Sequence, residues 1–379
     1  MWDTSVDMGL NENRFNRGRN FELPVLEYAI ARLLAGLECD SDLTNGQAED
    51  VADWIGSVWH VAPVAIPLFL DQFGDQVSES TKKRLTAISA AATLQGKAFR
   101  EVTSDVARTF ANRDIELVAL KGTANGFMAY PDPDHRTGAD LDFCVRPDRL
   151  EDSKDPLKTI GFWAGDYDTE DQVFVPSDKA ERERQEDKHY ALGFWIKMLD
   201  LGEVSPEAAD GFALAGELLP FASQVDGRRV KTPVLVDIHH AIGSGVSAED
   251  IMDRPIEHVW NGTKVLLPPR EWAAFHALLK LYWEGGQAYR KSFQYLADLA
   301  RIFTTMSEDE QDMLVSLIEG YNLKAGGYYV LRRLSACMDV DLSNAVHEAL
   351  DRWSSAPPGE TPQSYNDLGD FWPRLFGRL

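Results

Sequence analysis

Residues 140–145 read Asp-Leu-Asp-Phe-Cys-Val, and no other stretch narrows the choice of fold as far. Strict alternation over six residues predicts a β-strand, with Leu141, Phe143 and Val145 on one face and Asp140, Asp142 and Cys144 on the other. The apolar face requires a sheet packed on a core. The other face carries two carboxylates several ångströms apart, which repel each other and are costly to bury without a counter-charge. A divalent cation removes that conflict, since Mg²⁺ takes carboxylate oxygens and keeps positions open for phosphates. Read alone, the pair also fits an edge strand with two solvated acids, an ordinary feature of a chain with 61 Asp and Glu against 38 Lys and Arg.

The residues just upstream weigh toward the cation. A short, mostly apolar run at 115–120 predicts a buried strand, and Lys121-Gly122-Thr123 follow it directly. A glycine there lets a ligand approach the backbone, and a threonine hydroxyl can bind a phosphate oxygen. Lys121 and Arg136 place positive charge ahead of the acid pair, which suits a triphosphate. Tyr130-Pro131 and Gly138 mark turns between them.

Around this segment the hydrophobic period changes twice. Residues 24–110 follow the helical period, with stripes through Leu26, Ile30 and Leu33, through Val51, Trp54 and Ile55, and through Phe99, Val102 and Val106. The middle predicts strands at 140–145, 172–175, 190–196 and 234–239, with a loop at 161–171. After Pro268-Pro269 the helical period returns, and Ser307 followed by Glu310 forms a capping-box signature. The last 20 or so residues read as a loosely structured tail. The expected division is a helical N-terminal region over 1–110, a core over 111–265, and a helical region with tail over 266–379.

Composition limits the partners. A net charge of −23 repels a phosphate backbone, so long nucleic acid is not an expected ligand. Three widely spaced cysteines form no CxxC pair, which speaks against a disulfide framework and a structural zinc site. No apolar run approaches the ~20 residues needed to cross a bilayer. The polar, acid-bearing first 21 residues do not read as a signal peptide. The expectation is a cytoplasmic protein with no membrane partner.

These letters resemble the uncharacterised nucleotidyltransferase family of the DNA polymerase β-type nucleotidyltransferase superfamily. Its members read LKG…YPxP…R…xDxDhhV, and here Leu120-Lys121-Gly122, Tyr130-Pro131-Asp132-Pro133, Arg136, Asp140-Leu141-Asp142 and Val145 take those places. A later D-[IL]-H signature is matched by Asp237-Ile238-His239, and a Leu-Ala-Asp-Leu-like segment by residues 296–299. The chain departs in carrying Gly122-Thr123 where the superfamily has Gly-Ser, and in a longer spacer before Asp140.

The resemblance implies an α+β fold, with a small mixed sheet as the nucleotidyltransferase core and helical segments flanking it. It implies transfer of a nucleoside monophosphate from an NTP to an acceptor, with release of pyrophosphate. Asp140 and Asp142 would bind Mg²⁺ (or Mn²⁺), and Asp237 would complete the metal site. Gly122 and Thr123 would cradle phosphates that Lys121 and Arg136 neutralise. His239 would orient Asp237 or a substrate, and Lys188 and His189 are possible substrate contacts. The acceptor is unidentified, with a small molecule, peptide or protein favoured. Two other readings keep the same residues: a nucleotide-binding regulatory module without turnover, and a metal-dependent phosphohydrolase.

Overall fold

The computed structural model describes residues 25–168, 173–176, 191–215, 223–243, 246–284, 293–338 and 340–354. Four helices come first: α1 (Val25–Leu34), α2 (Asn45–Gly56), α3 (Ala62–Phe73) and α4 (Glu79–Ala111). Thr44 caps α2 through a capping box with Gln47, and Ser78 caps the 33-residue α4 by accepting from the Thr81 amide. The apolar stripes read from the sequence lie on α1, α2 and α4 and are buried, apart from Leu26 and Trp54, which are half-buried against the core.

The α+β expectation holds, and the sheet is larger than expected. It has nine strands, eight of them in the order β10-β11-β1-β2-β7-β5-β3-β4, with β6 paired to β7. In chain order the elements are β1 (Val118–Ala119), α5 (Lys121–Ala129), β2 (Asp140–Cys144), α6 (Lys154–Thr159), β3 (Trp163–Asp168), β4 (Val173–Pro176) and β5 (Trp195–Glu203). They continue with α7 (Pro206–Ala215), β6 (Gln224–Asp226), β7 (Arg229–His239), a small β8–β9 pair (Ala241–Gly243, Val246–Ser247), α8 (Ala248–Met252), β10 (Ile256–Trp260) and β11 (Thr263–Leu267). The sheet is mixed: β2 runs parallel to β7 and antiparallel to β1, while β1 runs parallel to β11.

Several sequence-level expectations are corrected here. The strand expected over 115–120 shortens to Val118–Ala119; α5 begins at Lys121, and the Leu120 amide still donates to the Asp142 carbonyl at 2.9 Å. Residues 161–171 were expected to be loop, but Trp163–Asp168 form β3, pairing with both β4 and β5. The strand expected over 190–196 starts late and runs Trp195–Glu203, with Ala191 making an isolated bridge to His239. The β10–β11 hairpin was not anticipated. Its turn is Asn261-Gly262, both with positive φ (47° and 75°), which is the backbone a two-residue hairpin turn needs. The tail expectation for the last 20 or so residues lies outside the described residues.

Helices α9 (Arg270–Glu284), α10 (Phe293–Phe303), α11 (Glu308–Gly320), α12 (Lys324–Met338) and α13 (Asn344–Ser354) complete the fold. The Ser307–Glu310 capping box opens α11 as the sequence indicates. Helices from both ends of the chain share one apolar core, in which Leu33, Ile55 and Phe69 lie with Phe275, Leu278 and Leu299. A second core fills the opposite side of the sheet and holds Leu141, Phe143, Val145, Val234, Val236 and Ile238 against Phe99, Val106 and Phe110 of α4. Truncating a residue such as Phe143 to Ala there costs about 3–5 kcal/mol.

Candidate active site

The register of β2 on β7 builds the centre of the site. Asp142 lies directly opposite Asp237, and Cys144 opposite His239. Odd-numbered residues of β2 enter the apolar core, so its two aspartates emerge together on the other face, where Asp237 and His239 of β7 also emerge. His239 Nε2 stands 2.8 Å from Asp142 Oδ1 and 3.2 Å from Asp237 Oδ2. Lys121 Nζ donates to the same Asp142 Oδ1 at 2.5 Å and lies 3.5 Å from His239 Nε2. One buried carboxylate oxygen thus accepts from two directions.

The electrostatics follow from that crowding. Burial and the neighbouring Asp142 carboxylate push Asp140 up to about 7, with Lys121 pulling the other way. Burial also works against Asp142, but Lys121 and His239 outweigh it and hold this carboxyl well below the usual range. For Lys121, burial opposes the charge, yet Asp142, Asp140 and Asp237 together keep the ammonium firmly protonated. Lys121 also has a left-handed backbone, φ 47°, at the junction of β1 and α5. A non-glycine residue held there stores on the order of 1 kcal/mol of strain, a feature that clusters at functional sites.

These groups border a cleft of about 240 Å³, lined by Lys121, Gly122, Asp140 and Asp142, with Lys280 of α9 and Tyr295 of α10 among the residues opposite. The volume is a little below the range of roughly 300–1,000 Å³ usual for small-molecule pockets. Asp142, Asp237 and His239 each offer one ligand atom, and these atoms lie within 4.8 Å of one another. Two carboxylates and an imidazole form a donor set that fits a divalent cation, the carboxylates suiting Mg²⁺ or Mn²⁺ and the imidazole favouring Mn²⁺ of the two. Asp140, expected to share the ions equally with Asp142, stands outside this compact set and lines the cleft.

Two other residues expected at phosphate have protein partners here. The Thr123 hydroxyl, expected on a phosphate, accepts the backbone amide of Asp142 at 3.1 Å, and Thr123 is buried. It ties the start of α5 to β2 and positions the aspartate. Arg136, expected to neutralise phosphate, forms a two-pronged pair with Asp298 of α10, Nε to Oδ1 at 2.8 Å and Nη2 to Oδ2 at 2.9 Å. Its guanidinium edges the cleft, but its charge is already matched. It also explains Gly122: a Cβ there would stand 3.0 Å from Arg136 Nη2. Lys188 and His189 lie outside the described residues.

The sequence reading missed the network behind that pair. Asp298 also accepts from Tyr130 Oη at 2.8 Å and Asn125 Nδ2 at 3.0 Å. Arg100 of α4 donates to the carbonyls of Thr123, Pro133 and Arg136, at 2.8, 3.1 and 2.5 Å. Residues 130–136 can lie this close to α4 because Gly96 has no Cβ, which would stand 2.0 Å from the Asp134 carbonyl oxygen. The signal available was Asp298 itself, a charge two residues from Leu296 and one from Leu299 in an otherwise apolar stripe. His276 of α9 was also missed. It is buried, and burial together with Lys121 and Lys280 pushes its pKa well below the ordinary histidine value.

The model of the family described as "Uncharacterised nucleotidyltransferase" matches residues 61–339, and the chain belongs to that family. Among solved structures it is similar to an antigenic nucleotidyltransferase-like protein from Paracoccidioides brasiliensis, at 15% identity and a TM-score of 0.33, over 64% of this chain and 93% of that one. No curated protein matches the sequence.

Proposed function

We propose that this member of the uncharacterised nucleotidyltransferase family is a metal-dependent enzyme that moves a nucleoside monophosphate from an NTP to an acceptor and releases pyrophosphate. The observation that carries this reading is the in-register placement of Asp237 beside Asp142, which lines a cleft together with Asp140 and Lys121. Asp142, Asp237 and His239 would hold a Mg²⁺ or Mn²⁺ ion, with Asp140 beside them. When bound, such an ion neutralises phosphate charge and lowers the pKa of an attacking hydroxyl.

The chain's own residues do the positioning. The first residues of α5 line the cleft, so its unpaired amides and positive dipole end face the phosphates. Lys121 supplies a full positive charge at the same place, and Gly122 keeps the backbone within reach. Arg136, held by Asp298, fixes the wall against which Gly122 packs. Such fixed charges and dipoles need no reorganisation during the reaction, which is where catalysis of phosphoryl chemistry gains most. The acceptor favoured is a small molecule, peptide or protein, because the net charge of −23 opposes a long polyanion.

Each labelled NTP should be incubated with the protein, Mn²⁺ or Mg²⁺ and a cell extract, with pyrophosphate release and labelled product recorded together. Pyrophosphate together with a labelled acceptor is the expected result. Nucleotide binding with no release would favour the regulatory module, and inorganic phosphate or free NMP without an acceptor would favour the phosphohydrolase. Calorimetry with ATP or GTP in EDTA should show much weaker binding than with the ion. Equal affinity would remove the metal from the reading.

A further inference from the structure

The position of Lys121 raises a question about order of binding. Its ammonium stands 2.5 Å from Oδ1 of Asp142, one of the three residues of the compact ligand set, and 3.5 Å from Nε2 of another, His239. An ion on Asp142 at the usual ~2.1 Å would therefore share one carboxylate with an ammonium 2.5 Å from its Oδ1. Two cations that close repel strongly in a site where both side chains are largely buried. The chain also places Lys121 there at a cost, through its left-handed backbone. Thr123, two residues on, clamps the same aspartate from below by accepting its amide. Sequence reading assigned Lys121 only to phosphate, and this geometry gives it a second partner.

We infer that Lys121 is an exchangeable internal counter-ion of the carboxylate cluster, which makes the divalent ion and the nucleotide bind as a pair. The inference rests on reading Asp142, Asp237 and His239 as a metal site. The exchange breaks one N–H···O contact, from Lys121 Nζ to Asp142 Oδ1. The ammonium keeps all its protons and turns toward the cleft, which it already lines. Alone, a divalent ion must displace this ammonium into a cleft whose lining carboxylates, Asp140 and Asp142, belong to the same cluster, so the two cations compete for the same acids. With a nucleotide, the phosphates take the displaced ammonium, so the ion enters without leaving a charge uncompensated. The device discriminates against free metal ions and favours the metal–NTP complex, and it acts through linkage, since each ligand raises the other's affinity by the same factor.

The test uses Mn²⁺ as the probe, read by titration calorimetry on the full chain, alone and then with a non-hydrolysable ATP analogue. Wild type is expected to bind Mn²⁺ at least about 10-fold more tightly when the analogue is present. Lys121→Met removes the charge and should bind Mn²⁺ alone at least about 10-fold more tightly than wild type, while losing most of the gain from the analogue. Lys121→Arg retains the charge and should keep Mn²⁺ binding weak in the absence of nucleotide. If Lys121→Met does not fold by circular dichroism, Lys121→Gln carries the same comparison. Unchanged or weaker Mn²⁺ binding in the uncharged variant overturns the inference. Asp142→Asn separates the two levels of the argument. If it loses Mn²⁺ binding while Lys121→Met leaves it unchanged, the counter-ion role falls and the metal site stands. If Asp142→Asn and Asp237→Asn both retain wild-type Mn²⁺ affinity, the metal site falls, and the inference with it.

Discussion

Two clusters of buried charge lie within a few residues of each other, and they are built on opposite plans. In the first, Arg136 and Asp298 are 2% and 0% exposed, and the carboxylate is saturated by Arg136, Tyr130 and Asn125. Charge and hydrogen-bonding capacity balance, as in a buried ion pair that serves structure. In the second, the carboxylates of Asp140, Asp142 and Asp237 share the close ammonium of Lys121, and Asp140 is pushed up to about 7 by burial and by Asp142. Charge is left in excess on the wall of a cleft. The difference separates a group that holds the fold from a group built to receive a ligand: the first would gain nothing from a cation, and the second is relieved by one.

The largest effect expected from this contrast falls on activity. Asp140→Asn and Asp142→Asn should each abolish transfer, by on the order of 10³-fold or more, and weaken metal–nucleotide binding. Asp237→Asn removes one of the three residues proposed to hold the ion, and should abolish transfer and weaken metal–nucleotide binding as well. All three should melt near wild type, because Leu141, Phe143, Val236 and Ile238 on the core side are untouched. Pyrophosphate release and melting curves on the three variants check this. Full activity in Asp237→Asn would remove that residue from the site, despite its place opposite Asp142.

The balanced cluster should respond in the opposite way. Asp298→Ala leaves the Arg136 guanidinium buried without its carboxylate and should destabilise the protein by about 3–5 kcal/mol, seen as a lower urea midpoint. The double variant Arg136→Met with Asp298→Leu should recover most of that loss, since a buried pair is often replaceable by apolar residues of similar volume. The same double variant sharpens the contrast. If Arg136 acts only through packing against Gly122, nucleotide affinity should fall modestly. A loss as large as that of Asp142→Asn would place Arg136 with the ligand-binding charges after all.

Sequence pattern revealed the second cluster far better than the first. Alternation in 140–145 and in 234–239 sets which side chains share a face, and parallel pairing then brings Asp142 and Asp237 together. Strands such as β3, with Gly165 and the acids Asp166 and Asp168 among its six residues, carry too little apolar periodicity to stand out. The β10–β11 hairpin was legible, however, through Asn261-Gly262. What the local pattern could not show is pairing across long separations. Arg136 meets Asp298 162 positions along the chain, and Arg100 reaches the Arg136 carbonyl across 36. Arg136 therefore read as a phosphate ligand, because the partner that neutralises it lies in another hydrophobic stripe. Thr123 is ambiguous for a different reason: a hydroxyl after a glycine suits a phosphate and a strand amide equally well, and here the Asp142 amide donates to it.

The smallest expected effect concerns pH, and it isolates the excess charge directly. Asp140 has a folded-state pKa of about 7 against roughly 3.9 when unfolded, so between those values the folded state holds the extra proton. Its contribution to stability is therefore full at about pH 4, falls as pH rises toward 7, and is gone above it. Asp142 has the opposite sign, but its stabilising effect is complete above its unfolded pKa and does not change over pH 5–8. The histidines His240 and His258, half-buried, and His276, buried, are all shifted downward and oppose Asp140 in part, since they lose stability as pH falls below about 6.5. The informative quantity is the difference between wild type and Asp140→Asn, melted in EDTA from pH 5 to 8. Wild type should lose a few degrees relative to the variant across that range, on the order of 2 °C per kcal/mol. Saturating Mn²⁺ should shrink the difference, because a nearby cation favours the ionised carboxyl. Parallel curves in EDTA would mean that Asp140 carries no excess charge, and the contrast between the two clusters would then rest on Asp142 and Asp237 alone.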